Sequence, residues 1–160
     1  MNESPKRQRL FVIRCAIFLL PILALALFAT KPYQADDHVN IWVAEQIAKS
    51  PFDFFGFDVD YGYARSPIYE VNHNPPGISY VIALVGVLTD GIIVALHLAM
   101  SLFAGLAALG TFELARDLSA RGVAAAVTAV LTPAFLVSAS ALMTDVALLA
   151  FYVWAVVAWR

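Results

Sequence analysis

Long apolar runs, separated by one extended polar segment, constrain the fold of this chain more than any other feature. Residues 10–30, 92–114 and 123–142 are almost free of charge, and each has the roughly 20 residues that a helix needs to cross a hydrocarbon core. A fourth apolar run covers residues 146–159. Hydrophobic residues make up 61% of the chain and charged residues 14%, whereas a soluble domain has about half and a quarter. We therefore predict an all-α integral membrane protein with about four transmembrane helices.

The first apolar run admits two interpretations. Residues 24–26 mimic the small-residue cleavage site of a signal peptide, but the apolar sequence continues past them through Phe28. A retained helix, kinked at Pro21, is the favoured interpretation, and a cleaved signal peptide is the alternative.

The distribution of charge predicts the orientation in the membrane. The polar segment, residues 31–74, holds three basic residues against seven acidic ones, whereas basic residues gather in segments 6–14 and 116–121. Because cytoplasmic segments are enriched in lysine and arginine, we expect the N-terminus in the cytoplasm and the loop 31–74 outside it. This assignment of sides holds only if residues 76–88 do not cross the membrane. The run is short enough to form an interfacial helix instead. The predicted localisation is multi-pass in the plasma (inner) membrane.

This topology brings three distant parts of the chain to one membrane face. Asp36 and Asp37 open the outer loop, and His73 and Asn74 close it. Asp145 follows the third predicted crossing and so lies on the same side. We expect these polar residues to form one extracytoplasmic site.

Asp36 and Asp37 precede a predicted short helix over residues 39–49. One aspartate can cap this helix, since a carboxylate accepts hydrogen bonds from its first backbone N–H groups. The other can act as a general base at the lipid–water boundary, where partial desolvation would raise its pKa. Adjacent residues of an extended chain point to opposite sides, so only one of the two would face a site directly.

His73 and Asn74 precede two prolines, which fix the entry into the next helix. With Glu70 three residues earlier, His73 is a candidate ligand of a divalent metal or of an anionic phosphate, although a loop histidine is more often simply solvated. Arg65 is the loop residue best suited to bind phosphate, because a guanidinium matches two phosphate oxygens.

Three further polar positions each carry a functional and a structural interpretation. Asp145 either faces an aqueous cavity or caps the last helix. The Asp58-Val59-Asp60 sequence matches a metal–nucleotide motif of some sugar transferases, but a solvated acidic loop is the better default. His97 lies within a predicted crossing and needs a partner, so we expect a packing role.

Two classes of function are disfavoured. Cys15 is the only cysteine and lies in an apolar helix, so no disulfide framework or redox motif is present. The basic residues form no stripe that would bind nucleic acid.

The order of these motifs resembles that of the GT-C membrane glycosyltransferases, specifically the protein O-mannosyltransferase and aminoarabinose-transferase superfamily. The resemblance covers residues 10–160 and rests on the basic N-terminus, Asp36-Asp37, the His-Asn-Pro-Pro segment and Thr144-Asp145. It implies that Asp36 is essential and that Asp145 shapes the same pocket. Where the aminoarabinose branch has a metal-binding glutamate this chain has His73, and where many relatives have arginine it has His97.

The resemblance also implies an activity and its partners. Such enzymes take a sugar from a polyprenyl-phosphate donor and pass it to a lipid, glycan or protein acceptor outside the cytoplasm, among membrane lipids. Asp36, with Asp37 beside it, would serve as the base, while Arg65, His73 and Asn74 would bind substrate. The resemblance does not fix a cofactor, and a divalent metal at His73 is the one candidate. Family enzymes are several times longer, so we expect this chain to correspond to their N-terminal portion and to be inactive in isolation. The alternative is a small non-enzymatic membrane subunit or scaffold.

Overall fold

The computed structural model describes residues 5–62, 64–119 and 121–160, which form eight helices and one two-stranded sheet. The elements, in chain order, are α1 (Pro5–Ala26), α2 (Ala35–Lys49), β1 (Asp58–Asp60), β2 (Arg65–Pro67), α3 (Ile68–Val71), α4 (Gly77–Thr89), α5 (Ile93–Leu118), α6 (Gly122–Val130), α7 (Pro133–Ala139) and α8 (Thr144–Trp159). The prediction of a mostly helical chain is confirmed, and the described residues also form one short two-stranded sheet that the sequence did not predict.

Helix α5 is the central element and packs against α1, α6 and α8. Near its start, the ring nitrogen Nδ1 of His97 lies 3.0 Å from the backbone oxygen of Ala29, just beyond the end of α1. Near its end, Glu113 pairs with Arg14, in the first half of α1. Helices α1 and α5 are therefore antiparallel.

Helix α8 runs parallel to α5. The indole N–H of Trp154 donates to the backbone oxygen of Leu106 at 2.9 Å, and Arg160 at the end of the chain reaches Asp117 near the end of α5. The end of α1, the start of α5 and the start of α8 consequently lie at the same end of the bundle. We call this the loop end, because α2 and the sheet follow from α1 there.

The opposite end of the bundle carries a charged cluster. Glu113 is buried, and its two carboxylate oxygens lie 2.6 Å from Arg14 Nε and 2.8 Å from Arg116 Nη2. A buried carboxylate is costly unless it is paired, so these two contacts compensate its burial. A second pair, between Asp117 and Arg160, adds α8 to the cluster. The cluster thus ties α1, α5 and α8 together.

Helix lengths give fewer membrane crossings than the four predicted. Within the described ranges, α1 and α5 are long and apolar enough to cross a membrane, and the α6–α7 pair makes a third candidate if it counts as one span. Helix α8, with 16 residues, is a shorter apolar helix.

We expect residues 123–142 to form one crossing that is kinked or loosened near Pro133, and the structure has a break there, with α6 and α7 bent by 63° relative to each other. Pro133 lacks a backbone N–H and begins a new helix instead of continuing α6. The side chain of Thr132 caps that new helix by accepting a hydrogen bond from the backbone N–H of Phe135.

The polar segment folds onto the loop end as α2, the antiparallel β1–β2 pair and α3. Apolar residues of α2, including Val43 and Ile47, pack against Ile82 of α4 in a common core. Helix α4 corresponds to the predicted interfacial helix 76–88 and ends where Asp90 adopts a left-handed conformation, with φ of 52°.

Gly105→Ala should weaken the packing of α5 on α1. A Cβ at this position would lie 2.8 Å from the backbone oxygen of Phe18, so the two helices would have to separate. We expect the free energy of unfolding to fall by about 1–3 kcal/mol, as overpacking typically costs, measured by denaturant unfolding in detergent micelles. Gly86→Ala in α4 is the control, because a Cβ there meets nothing within 4 Å. It should be neutral or stabilising, since alanine favours helix over glycine. Equal losses in both variants would contradict the close approach of α1 and α5.

Candidate functional site

Asp37 joins two parts of the chain that are far apart in sequence. Its side chain is 0% exposed and accepts two backbone hydrogen bonds, from Leu142 N–H at 2.7 Å and from Gln34 N–H at 2.8 Å. The second bond caps the start of α2, which confirms that one of the two aspartates caps this helix. The first holds the connection between α7 and α8. A buried carboxylate is stabilised in this way because both of its oxygens find donors.

Asn40, one turn along α2, completes this attachment. Its amide Nδ2 donates to the backbone oxygen of Leu142 at 2.9 Å, so both polar groups of that buried peptide position are satisfied from α2. Lys31 adds a third contact, donating to Ser140 Oγ at 2.9 Å. We refer to the contacts of Asp37 and Asn40 with Leu142 as the Asp37 clamp. The clamp fixes the start of α8 beside the start of α2.

The clamp brings Asp36 and Asp145 to one cavity of about 260 Å³, which we call the carboxylate cavity. Both residues are exposed and lie in the first turns of α2 and α8. Asn74 also lines the cavity, so three of the predicted site residues come together. The other lining residues are Val39, Asn40, Tyr61, Val71, Asn72, Met143 and Thr144.

Tyr61 is bonded to one of the two cavity carboxylates. Its hydroxyl donates to Asp36 Oδ1 at 3.2 Å. This hydrogen bond, followed by partial desolvation and the nearby negative charge, raises the pKa of Tyr61 above its ordinary value. The phenol is therefore protonated at neutral pH and can orient the Asp36 carboxylate.

Asn72 is a cavity residue that the sequence analysis missed. Its side chain is 3% exposed, and its Oδ1 accepts a hydrogen bond from the backbone N–H of Asn74 at 3.0 Å. Its amide Nδ2 is buried and has no hydrogen-bond partner among the described residues. No spacing rule marks this position, because the residue follows the four-residue helix α3 and becomes significant only through its burial.

An apolar groove adjoins the carboxylate cavity and shares two of its wall residues, Asn74 and Thr144. The groove has a volume of about 300 Å³ and lies between α4, α5 and α8. Its other lining residues are Pro75, Gly77, Ile78, Val81, Phe103, Ala147, Leu148 and Phe151. A mainly apolar channel thus meets a polar cavity at the loop end of the bundle.

Arg65 does not belong to the carboxylate cavity. It lies on β2 with its side chain 76% exposed, and its Nε is 3.5 Å from Asp58 Oδ2 on β1. Asp58 and Asp60 are likewise exposed on the short sheet and do not line the cavity. Arg65 is therefore not brought together with Asp36 and Asp145, and its role as a phosphate ligand stays a prediction. The exposure of Asp58 and Asp60 agrees with the solvated interpretation of the Asp-Val-Asp sequence.

His73 is exposed and is absent from the cavity wall, although its neighbour Asn74 lies there. Nowhere in the described ranges do three histidine, cysteine, aspartate or glutamate side chains come together as a metal site would require. The described residues therefore offer His73 no set of companion metal ligands, and a metal at His73 stays a prediction.

Asp37 and His97 both hold the fold together and do not face the cavity. Because Asp37 is fully buried and both of its oxygens are occupied, it cannot contact a substrate, which corrects its assignment as a catalytic residue. His97 is buried where α5 meets the end of α1, with Nδ1 near Ala29. Its Nε2 has no partner in the described part of the chain.

No protein-family model, curated protein or solved structure matches the chain.

Asp37→Asn should loosen the attachment of α8 to α2, whereas the same change at Asp36 should not. The amide of an asparagine can accept only one of the two backbone hydrogen bonds, and its NH2 group would oppose the other donor. We expect Asp37→Asn to lower the free energy of unfolding by about 1–3 kcal/mol, the usual cost of an unsatisfied buried donor. Asp36→Asn, at an exposed position, should change it by less than about 0.5 kcal/mol. Denaturant unfolding of both variants in micelles measures the difference, and similar values for the two would contradict the clamp.

Proposed function

We propose that this protein takes part in transferring a sugar from a polyprenyl-phosphate donor to an acceptor outside the cytoplasm. The observation that carries the proposal is the carboxylate cavity and its junction with the apolar groove at Asn74 and Thr144. A lipid-linked sugar needs such a pair of environments, because its hydrocarbon tail is apolar and its sugar is polar. The order of motifs along the chain, which resembles that of GT-C glycosyltransferases, supports the same activity.

Asp36 is the proposed general base. An acceptor oxygen or nitrogen attacks the anomeric carbon, the bond from that carbon to the phosphate oxygen breaks, and the polyprenyl phosphate leaves. The proton of the attacking group passes to Asp36, which is exposed and lies at the cavity wall as this role requires. The hydroxyl of Tyr61 holds this carboxylate in place by donating a hydrogen bond to its Oδ1 atom.

Asp145 has a different proposed role, which is to position the substrate. Its carboxylate reaches the cavity from α8, and the Asp37 clamp sets the location of that helix start relative to Asp36. Two carboxylates on facing elements can accept hydrogen bonds from two hydroxyl groups of one sugar or acceptor. Orientation of this kind contributes to rate because it converts a collision into a reaction between groups already in place.

We expect the leaving phosphate to lie at the rim of the cavity and not inside it. Among the described residues that line the cavity, none is lysine or arginine, so two carboxylates would repel a phosphate placed between them. Asn74 lies at the junction with the groove, and the predicted ligand His73 precedes it in the sequence.

Asp36→Asn should abolish function in a cell-based assay while Asp58→Asn should not. Each variant gene, within its natural coding context, is expressed in a strain from which the native gene has been deleted. Envelope glycolipids and glycoproteins of these strains are then compared by mass spectrometry. We expect Asp36→Asn to reduce the glycosylated product by roughly 10²–10⁴-fold, as loss of a general base typically does. Asp145→Asn should reduce it as well, and Asp58→Asn, an exposed carboxylate of the same loop, should leave it unchanged.

Immunoblotting of the membrane fraction controls for expression and insertion of each variant. Wild-type product levels in the Asp36→Asn and Asp145→Asn strains would overturn the proposal and favour a non-enzymatic scaffold, because a scaffold does not need an ionisable group at either position.

A further inference from the structure

The carboxylate cavity contains a hydrogen-bond donor that none of the described residues uses. Asn72 is almost fully buried, and its amide Nδ2 has no partner among the described residues. Buried polar groups are nearly always paired, so a buried donor without a partner calls for an explanation. A bound group that accepts a hydrogen bond would provide the missing partner.

The orientation of this amide follows from its neighbour. The backbone N–H of Asn74 donates to Asn72, and only the carbonyl oxygen Oδ1 can accept that bond. The NH2 group must then be the free end of the side chain, so the unused group is a donor and not an acceptor.

The polar groups around Asn72 define the chemistry of a matching ligand. Asp36 and Asp145 can only accept hydrogen bonds when ionised, whereas Asn72 Nδ2 can only donate. A hydroxyl group suits both, because it donates through its hydrogen and accepts through its oxygen. A phosphate does not suit them, because it brings negative charge to two carboxylates and finds no lysine or arginine among the described lining residues.

We propose that Asn72 is a sugar-binding residue, whose Nδ2 donates to a ring hydroxyl oxygen of a saccharide held in the carboxylate cavity. The inference rests on the proposed function and deepens it, since it assigns the sugar and not the phosphate of the substrate to this cavity. Because Nδ2 is shielded from solvent in the free protein, a local displacement at the cavity wall has to accompany binding.

Two substitutions at Asn72 test whether binding needs the NH2 donor itself. Asn72→Asp keeps an oxygen for the Asn74 N–H but replaces the NH2 group with an acceptor. Asn72→Leu has a similar size, adds no charge and removes the donor. If the donor matters, both variants lose binding; if only added negative charge matters, Asn72→Asp alone loses it.

Binding can be followed by tryptophan fluorescence of the full chain in lipid nanodiscs. The ring of Trp42 lies 6.2 Å from that of Tyr61, which lines the cavity, so occupation should alter its emission. The probes are a panel of methyl hexosides and pentosides, inorganic phosphate, and polyprenyl phosphate without a sugar. We expect at least one methyl glycoside to bind, with affinity at least tenfold lower in both Asn72 variants, and neither phosphate probe to compete with it.

Several outcomes would overturn the assignment. These are equal glycoside affinity in wild type and Asn72→Leu, competition by inorganic phosphate, or no glycoside binding by the wild type up to the highest concentration tested. Thermal unfolding of each variant shows whether the fold is retained, and a variant that unfolds at the wild-type temperature yet loses binding supports the assignment. The proposed function fails separately, through the cellular product of Asp36→Asn, so the two conclusions are distinguishable.

Discussion

One buried carboxylate holds the organisation of this protein together. Asp37 accepts hydrogen bonds from the start of its own helix and from a peptide N–H 105 residues away, and Asn40 occupies the carbonyl of that same distant residue. Without these bonds, the connection between α7 and α8 would have no polar attachment to α2. The position of Asp145 relative to Asp36, and therefore the carboxylate cavity, depends on this attachment. Asp37 thus shapes the carboxylate cavity without lining it.

Carboxylates at the two ends of the helix bundle lie in opposite environments. At the end far from the loop, Glu113 is buried and compensated by two arginines, so its charge serves packing. At the loop end, Asp36 and Asp145 are exposed to a cavity whose described lining residues include no cation. Carboxylates left uncompensated in a cavity are available to hydroxyl or proton donors from outside. This contrast explains why the cavity, and not the charged cluster, is the candidate site.

Much of the coarse fold could be predicted from the sequence because hydrophobic periodicity and charge act locally. The apolar runs located α1, α4 and α5, and the sequence also predicted that only one of the two adjacent aspartates would face a site. The physical basis of that prediction differed, since both residues lie in the first turn of α2 and not in extended chain. Pro133 also marked the break between α6 and α7, because a proline cannot continue a helix. Arg65 and Asn72 could not be placed in this way, because their positions depend on a cross-strand partner and on tertiary burial, which the local sequence does not specify.

The clamp also limits which changes in length the chain can absorb. Consecutive residues of a helix are about 100° apart around its axis, so inserting one residue directly before Asp36 would rotate Asp36 into the place of Asp37 and Asp37 by a further 100°. Such a change would turn the buried acceptor away from Leu142 and drive the exposed carboxylate into the protein interior. The connection between α2 and the sheet, residues 50–57, is free of this constraint because it contains no clamp residue. Variation in loop length among related chains should therefore accumulate after Lys49 and be excluded between Gln34 and Asn40.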